Sequence, residues 1–221
     1  MTEAARLGEP DRAERLHGGM TREERDDARR RRLLDAGLQV FGAEGYATST
    51  MSEICRIARV TERNYYDHFA SREDLLVAVY DEIIADVTAE LVHVLSTERD
   101  DPAEQIDAGL RTFVETIAND ERRLRINFVE IVGVSARVEA HRRDVMVGFQ
   151  QLVAAQISQY RQRGQKQADD QLRITTSALT GAIQESLVDW VNRDDRPPLE
   201  SIIAELSRIF SLALLDPSAR G

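Results

Sequence analysis

Apolar residues recur along this chain at three- and four-residue intervals, and no stretch shows the repeated Val/Ile/Thr alternation of a half-buried strand. The pattern predicts helices throughout. Thr21-Arg22-Glu23-Glu24 is a capping signature. The first helix is expected to start by Arg29 or earlier and to end at Glu44, with Leu33, Leu34, Ala36, Gly37, Val40 and Phe41 as its core stripe and Gly45 as its stop. A second helix, Met51 to Ala58, is capped by Ser49 or Thr50 and buries Ile54, Cys55 and Ala58. Arg59-Val60 makes a turn, and Thr61 caps a third helix carrying Arg63, Asn64, Tyr65, Tyr66 and His68, with Phe69 closing it. Ser71, with Asp74 three residues on, caps a long fourth helix whose stripe is Leu76, Val79, Tyr80, Ile83, Val87, Leu91 and Val94.

Beyond Asp100-Asp101, Pro102 opens a fifth helix with Ile106, Leu110, Phe113, Val114 and Ile117 inward. Leu124 to Ile131 form a sixth, broken around Gly133, and residues 136–162 a seventh. The eighth, about 170–192, places Leu179, Ile183 and Leu187 on one face beside Gly181 and Ala182. After Pro197-Pro198 the ninth carries Ile202, Ile203, Leu206, Ile209, Phe210, Ala213 and Leu214, an arc wider than one packed face needs. Two such helices in succession suit a bundle made with their copies from a second subunit, through Leu179, Ile183, Leu187, Ile202, Leu206, Ile209 and Phe210. The alternative is that they line a thick core. The fold class is all-α. Residues 1–20 are charged and lack an apolar face, so a disordered arm is expected there, followed by units over 21–70 and 71–216.

Composition narrows the function. No apolar run approaches the roughly 18 residues needed to span a bilayer, the N-terminus has no apolar signal region, and a lone cysteine suits a reducing compartment. The reading is cytoplasmic, with no membrane partner. The net charge of −10 is uneven: residues 21–72 carry ten Arg and nine acids, whereas residues 73–221 carry sixteen basic and twenty-six acidic groups. Charge therefore permits nucleic-acid binding at one end and opposes it at the other.

Two short helices joined by a tight turn, the second rich in hydrogen-bonding side chains, form a helix-turn-helix sized for the DNA major groove. A plain helical hairpin within a bundle would share that spacing. The residue order decides between them. Gly45-Tyr46, Ala47-Thr48, Ile54-Cys55, Ala58-Arg59-Val60-Thr61, then Tyr66-x-His68-Phe69-x-Ser71-Arg72-Glu73-x-Leu75-Leu76, resemble the tetracycline-repressor (TetR) family of transcriptional regulators over about residues 29–80. The resemblance implies an N-terminal three-helix helix-turn-helix domain and a C-terminal antiparallel helical domain that binds ligand and dimerises. It implies a regulator, most often a repressor, released from a palindromic double-stranded DNA operator by a small organic effector, working as a homodimer and needing no cofactor.

Candidate roles follow from side-chain chemistry. Thr50 and Thr61 join hydroxyls to helix N-terminal N–H groups, which suits phosphate. Arg63 can bond guanine O6/N7 and Asn64 adenine N6/N7. Tyr66 and His68 resemble the family's phosphate-contacting pair, and Arg72 its basic phosphate post. Tyr65 stands where the family has a core aliphatic and is assigned to packing. Arg29–Arg32 are either a solvated face or a basic arm. Three residues depart from the family pattern: Arg59 replaces the turn glycine, and Glu62 and Asp67 bring carboxylates to the reading helix. A regulator-like interaction module without DNA affinity is the reading those acids would favour. Asn127, Glu130 and Gln184, polar within apolar helix patterns, are candidates to line the effector site. Cys55 reads as a small buried apolar residue. Glu90-x-x-His93 matches half of a di-iron motif, but His17, His68 and His141 do not complete it, so no metal is expected. No phosphate loop, CxxC or nucleophile elbow supports an enzyme, and a helical-bundle enzyme or metal protein stands only as an alternative.

Overall fold

The computed structural model describes residues 21–97, 99–160 and 169–215. The arm expected over 1–20, the last two residues of the expected seventh helix and residue 216 lie outside them. The described residues are all-helical: α1 (Arg22–Glu44), α2 (Met51–Ala58), α3 (Glu62–Tyr66), α4 (Arg72–Leu95), α5 (Pro102–Ala118), α6 (Glu121–Arg125), α7 (Ala136–Tyr160), α8 (Asp169–Asn192) and α9 (Leu199–Leu215), with a π-helical turn, Ile126–Glu130, continuing α6.

The helix starts are built locally. Thr21 Oγ1 accepts from Glu24 N–H at 3.1 Å while Glu24 Oε2 accepts from Thr21 N–H at 2.6 Å, a complete capping box, so α1 starts at Arg22, well before Arg29. Thr50 rather than Ser49 caps α2, accepting from Glu53 N–H at 3.2 Å. Ser71 caps α4 through Asp74 N–H at 3.1 Å, and Asp101 precedes Pro102 as the cap of α5. Gly45 ends α1 at φ 90°, its N–H donating to Phe41 O.

α1, α2 and α3 enclose Leu33, Phe41, Ile54 and Tyr65 around the first turns of α4, forming the helix-turn-helix unit. α4 continues out of it with Leu75, Leu76, Val79, Tyr80, Ile83, Val87 and Leu91 buried, the predicted stripe, and packs on α5, which in turn carries α9. α1 and α6 touch at closest range. A methyl group on Gly42 would sit 2.4 Å from Arg122 Cβ and 2.8 Å from its Cα, so only glycine allows this approach. Cross-helix polar contacts run along α4: ion pairs of Arg137 with Glu73 and Asp74, Arg31 with Glu82 and Arg123 with Asp86, and a hydrogen bond between His141 and Asp81. Each is partly exposed and individually weak, but together they tie α1, α6 and α7 to one helix.

Candidate nucleic-acid interface

The recognition element is short and firmly seated. Tyr65 is fully buried, its hydroxyl donates to Ser71 O at 2.9 Å, and its ring lies 5.9 Å from that of Phe69. Burial pushes the phenol well above its ordinary pKa, so it stays a donor. Tyr65 thus acts as packing, and the rest of α3 is turned outward by it. Glu62, Arg63 and Asp67 are exposed, Asn64 is half-buried, and Tyr66 is 55% exposed with its ring edge-on to Tyr65. Thr61 is exposed and its Oγ1 accepts from Asn64 N–H at 3.3 Å; Thr50 is exposed at the start of α2. Five predicted DNA-facing residues, Thr50, Thr61, Arg63, Asn64 and Tyr66, are therefore available at the surface of this unit.

Two are not offered in the same way. α3 ends at Tyr66, so His68 lies in the following turn, its N–H donating back to Tyr65 O. That turn swings the imidazole inward: its side chain is 7% exposed, with Nε2 3.6 Å from Asp26 Oδ1. His68 as a phosphate contact is corrected to an inward-facing residue. Arg72 is only partly a post. Its Nη1 donates to Tyr46 O at 3.1 Å, to Ser49 Oγ at 2.8 Å and to Ser49 O, and its guanidinium lies 4.9 Å over the Tyr46 ring. Arg72 fastens the α1–α2 turn to α4, a role no local pattern announces.

The arginine run, although largely exposed, is also engaged within the protein. Arg29 pairs with Asp26, Arg30 lies 5.6 Å over Phe69, Arg31 bonds Asp35 and Glu82, and Arg32 Nε donates to Ala58 O at 3.0 Å. Arg32 caps the carbonyl end of α2, which a reading of charge alone missed. Arg59 sits in the left-handed region at φ 54°, ψ 47°, as expected where the family favours glycine. Cys55 is buried, and burial, then Glu62, push its thiol pKa up, which suits a small core side chain.

The other candidate sites divide as sharply. Glu130 is engaged within the protein: its Oε2 accepts from Tyr46 N–H at 2.8 Å and its Oε1 from Arg125 Nη2 at 3.3 Å. It is corrected from a ligand contact to a bond between the π-turn and the α1–α2 turn. Asn127, on the same π-turn, is 8% exposed and its Oδ1 is buried without a hydrogen-bond partner. Gln184 is half-buried on α8, a helix in contact with the π-turn. Of the expected dimer residues, Leu179, Leu187, Leu206 and Phe210 are buried within the protomer, the last two with Leu110 and Leu214, so they are corrected to core. Ile183, Ile202 and Ile209 are half-buried. Ile202 and Ile209 line a groove of about 310 Å³ between α8 and α9 with Ser186, Asp189 and Trp190. Among the described residues, no group of three or more His, Cys, Asp or Glu could hold a metal ion, and no helix is long and apolar enough to cross a membrane.

A seated short helix presenting Arg, Asn and Tyr beside two capped N-termini, on a unit of three helices, defines a helix-turn-helix DNA-binding regulator. Residues 33–79 match the sequence model of the bacterial regulatory proteins of the tetR family. Over this helix-turn-helix segment the chain is similar to the TetR family of transcriptional regulators. It is 19% identical over 170 residues to the fatty acid metabolism regulator protein of Bacillus subtilis, covering 77% of this chain and 87% of that one. In fold it is similar to FadR of Bacillus subtilis in complex with stearoyl-CoA, at a TM-score of 0.73 and 18% identity over 84% of this chain and 97% of that one. It is also similar to AibR in complex with isovaleryl coenzyme A and operator DNA, at a TM-score of 0.64 and 18% identity over 82% and 97%.

Proposed function

We propose that this regulator is a cytoplasmic homodimeric repressor that binds a palindromic operator and leaves it when an acyl-coenzyme A thioester enters the larger helical unit. Residues 21–70 are the DNA-binding domain and 71–216 the ligand-sensing and dimerisation domain. The observation that carries the DNA reading is the face of exposed Arg63 and Tyr66 and half-buried Asn64 held outward by buried Tyr65. Arg63 and Asn64 read base edges, and Thr50, Thr61 and Tyr66 hold phosphates.

For the effector, support comes from a group of half-buried apolar side chains: Phe113 on α5, Phe149, Leu152 and Val153 on α7, and Ile183 on α8. The rings of Phe113 and Phe149 meet edge-on at 5.7 Å. Apolar surface left incompletely covered between helices suits an acyl chain, and two proteins of similar fold hold acyl-coenzyme A ligands. The dimer uses the outer faces of α8 and α9 around Ile202 and Ile209. The test is operator release. Duplex selected from random DNA is bound by the purified protein and titrated with stearoyl-CoA, with coenzyme A alone as control. Release by the thioester and not by coenzyme A is the expected result; tight operator binding untouched by acyl thioesters of any chain length would refute the effector class. Failure to bind any duplex above background would favour an interaction module, with exposed Glu62 and Asp67 repelling phosphates.

A further inference from the structure

The turn between α1 and α2 is clamped from two sides. Its Tyr46 N–H donates to Glu130 Oε2 at 2.8 Å, and its Tyr46 carbonyl accepts from Arg72 Nη1 at 3.1 Å and from Ser49 Oγ at 2.7 Å. Ser49 is buried and immediately precedes Thr50, the cap of α2. The backbone of one residue therefore sits between a carboxylate of the larger unit and the network that fixes where α2 begins. The approach is close: a methyl group on Gly45 would lie 3.2 Å from Glu130 Oε2. The Glu130 side chain is 12% exposed, so water competes poorly for that bond.

Glu130 is the last residue of the π-turn, closed by Ile131 N–H donating to Ile126 O at 3.1 Å. A π-turn holds one more residue than an α-helical turn, and such turns recur at functional sites. Reverting to α-helical winding would rotate the residues beyond the turn by about 100° and slide them by about 1.5 Å, more than a 2.8 Å hydrogen bond tolerates. Asn127 stands on the same turn, buried, with Oδ1 unpaired. A buried carbonyl oxygen without a partner invites a donor.

Resting on the effector reading above, we propose that Glu130 is the positioning residue that sets the helix-turn-helix for operator binding, and that effector occupancy reaches it through Asn127. The Asn127 Oδ1 takes a hydrogen bond from an amide N–H or hydroxyl of the ligand, groups that an acyl-coenzyme A carries. Pairing at Asn127 rewinds the π-turn, Glu130 leaves Tyr46, and the α1–α2 turn loses one of its two clamps. Coupling of this kind requires only that the ligand favour one of two packings of a single element.

The experiment uses the full-length protein, a duplex selected from random DNA, and stearoyl-CoA as the probe. Glu130→Ala should weaken ligand-free operator binding by about tenfold, the scale of one charge-assisted hydrogen bond, and speed hydrogen exchange at the Tyr46 amide. Stearoyl-CoA should bind more tightly, by up to about tenfold, because binding no longer breaks the Glu130–Tyr46 bond, while its effect on operator binding largely disappears. Glu130→Gln retains an acceptor oxygen and should recover operator binding, a rescue that mere loss of stability would not give. Glu130→Leu replaces the alanine variant if that one fails to fold. Asn127→Ala should do the converse, weakening stearoyl-CoA with ligand-free operator affinity unchanged. Operator affinity and Tyr46 exchange in Glu130→Ala matching the wild type would overturn the positioning role. A parallel loss of stearoyl-CoA affinity in Glu130→Ala would overturn it too, by making Glu130 a ligand contact. If stearoyl-CoA does not bind the wild type, the effector class falls, while the operator and exchange measurements still decide the role of Glu130.

Discussion

Arg59 offers a prediction whose size comes from one backbone angle. It holds the C-cap of α2 at φ 54° and ψ 47°, and it is the one non-glycine with positive φ among the described residues. Its position is fixed on both sides, by its own N–H donating to Arg56 O and by Val60 N–H donating to Cys55 O at 3.0 Å. A side chain with Cβ in this region costs about 1–2 kcal/mol. Arg59→Gly removes that strain but adds about 0.5–1 kcal/mol of unfolded-chain entropy. The net expectation is a gain of about 0.5–1 kcal/mol, which for a chain of this size raises Tm by about 1–4 °C at fixed protein concentration. Arg59→Ala is the control, since it removes the same charge and keeps the strained Cβ. Thermal melts monitored by circular dichroism should place Arg59→Gly above both the wild type and Arg59→Ala. If glycine and alanine melt together, the αL strain is not what this position stores and the reasoning fails. The same pair tests function: if Arg59 meets a phosphate, both variants lower the salt slope of operator binding by about one unit.

Arg72→Ala leaves the Ser49 carbonyl without the guanidinium donor and the Tyr46 carbonyl with Ser49 Oγ alone, so it should cost about 1.5–3 kcal/mol in denaturant unfolding and weaken all DNA sequences alike; sequence-selective loss would make Arg72 a base reader instead. Ile209→Asp puts a charge on the half-buried rim of the α8–α9 groove and should yield monomers in sedimentation; an unchanged dimer would move the interface elsewhere. Arg196 donates two hydrogen bonds to Glu121, holding that carboxyl below its usual pKa. A lowered folded-state pKa stabilises above the unfolded value and is lost as pH falls through the lowered one. Glu121→Gln should therefore lower stability modestly near neutrality, where the pair contributes, and flatten the further loss below about pH 4.5, and an unaltered acid profile would contradict the pairing.

Local features were legible in the sequence. Thr50, Thr61 and Ser71 announce helix starts because a hydroxyl reaches an N–H three residues on, and Gly45 announces an end because it needs positive φ. The α4 stripe was legible because burial along a helix repeats with its turn. Partners across the fold were not. Arg72 looked like a free cation, and only the folded chain brings Tyr46 and Ser49 within its reach. His68 looked outward-facing as long as α3 was drawn through it; the helix ends at Tyr66 and the turn takes the ring inside. Leu206 and Phe210 have the apolar character an interface needs, yet periodicity cannot say whether Leu110 of the same chain or a second copy covers them. The π-turn breaks the very period used to read helices, which is why Glu130 registered as an isolated polar residue instead of a link to Tyr46.

The central claim, that the outward face of α3 reads a symmetric DNA site, is tested most directly by selecting binding sites from random duplex with the wild-type protein and repeating the selection with Arg63→Ala. The account predicts an enriched palindrome whose half-sites lie about one helical turn, roughly 34 Å, apart. It also predicts that Arg63→Ala binds that site more weakly by about 1–3 kcal/mol and tolerates other bases at one or two positions in each half. Recovery of no preferred sequence, or of the same sequence with the same affinity by Arg63→Ala, would contradict it.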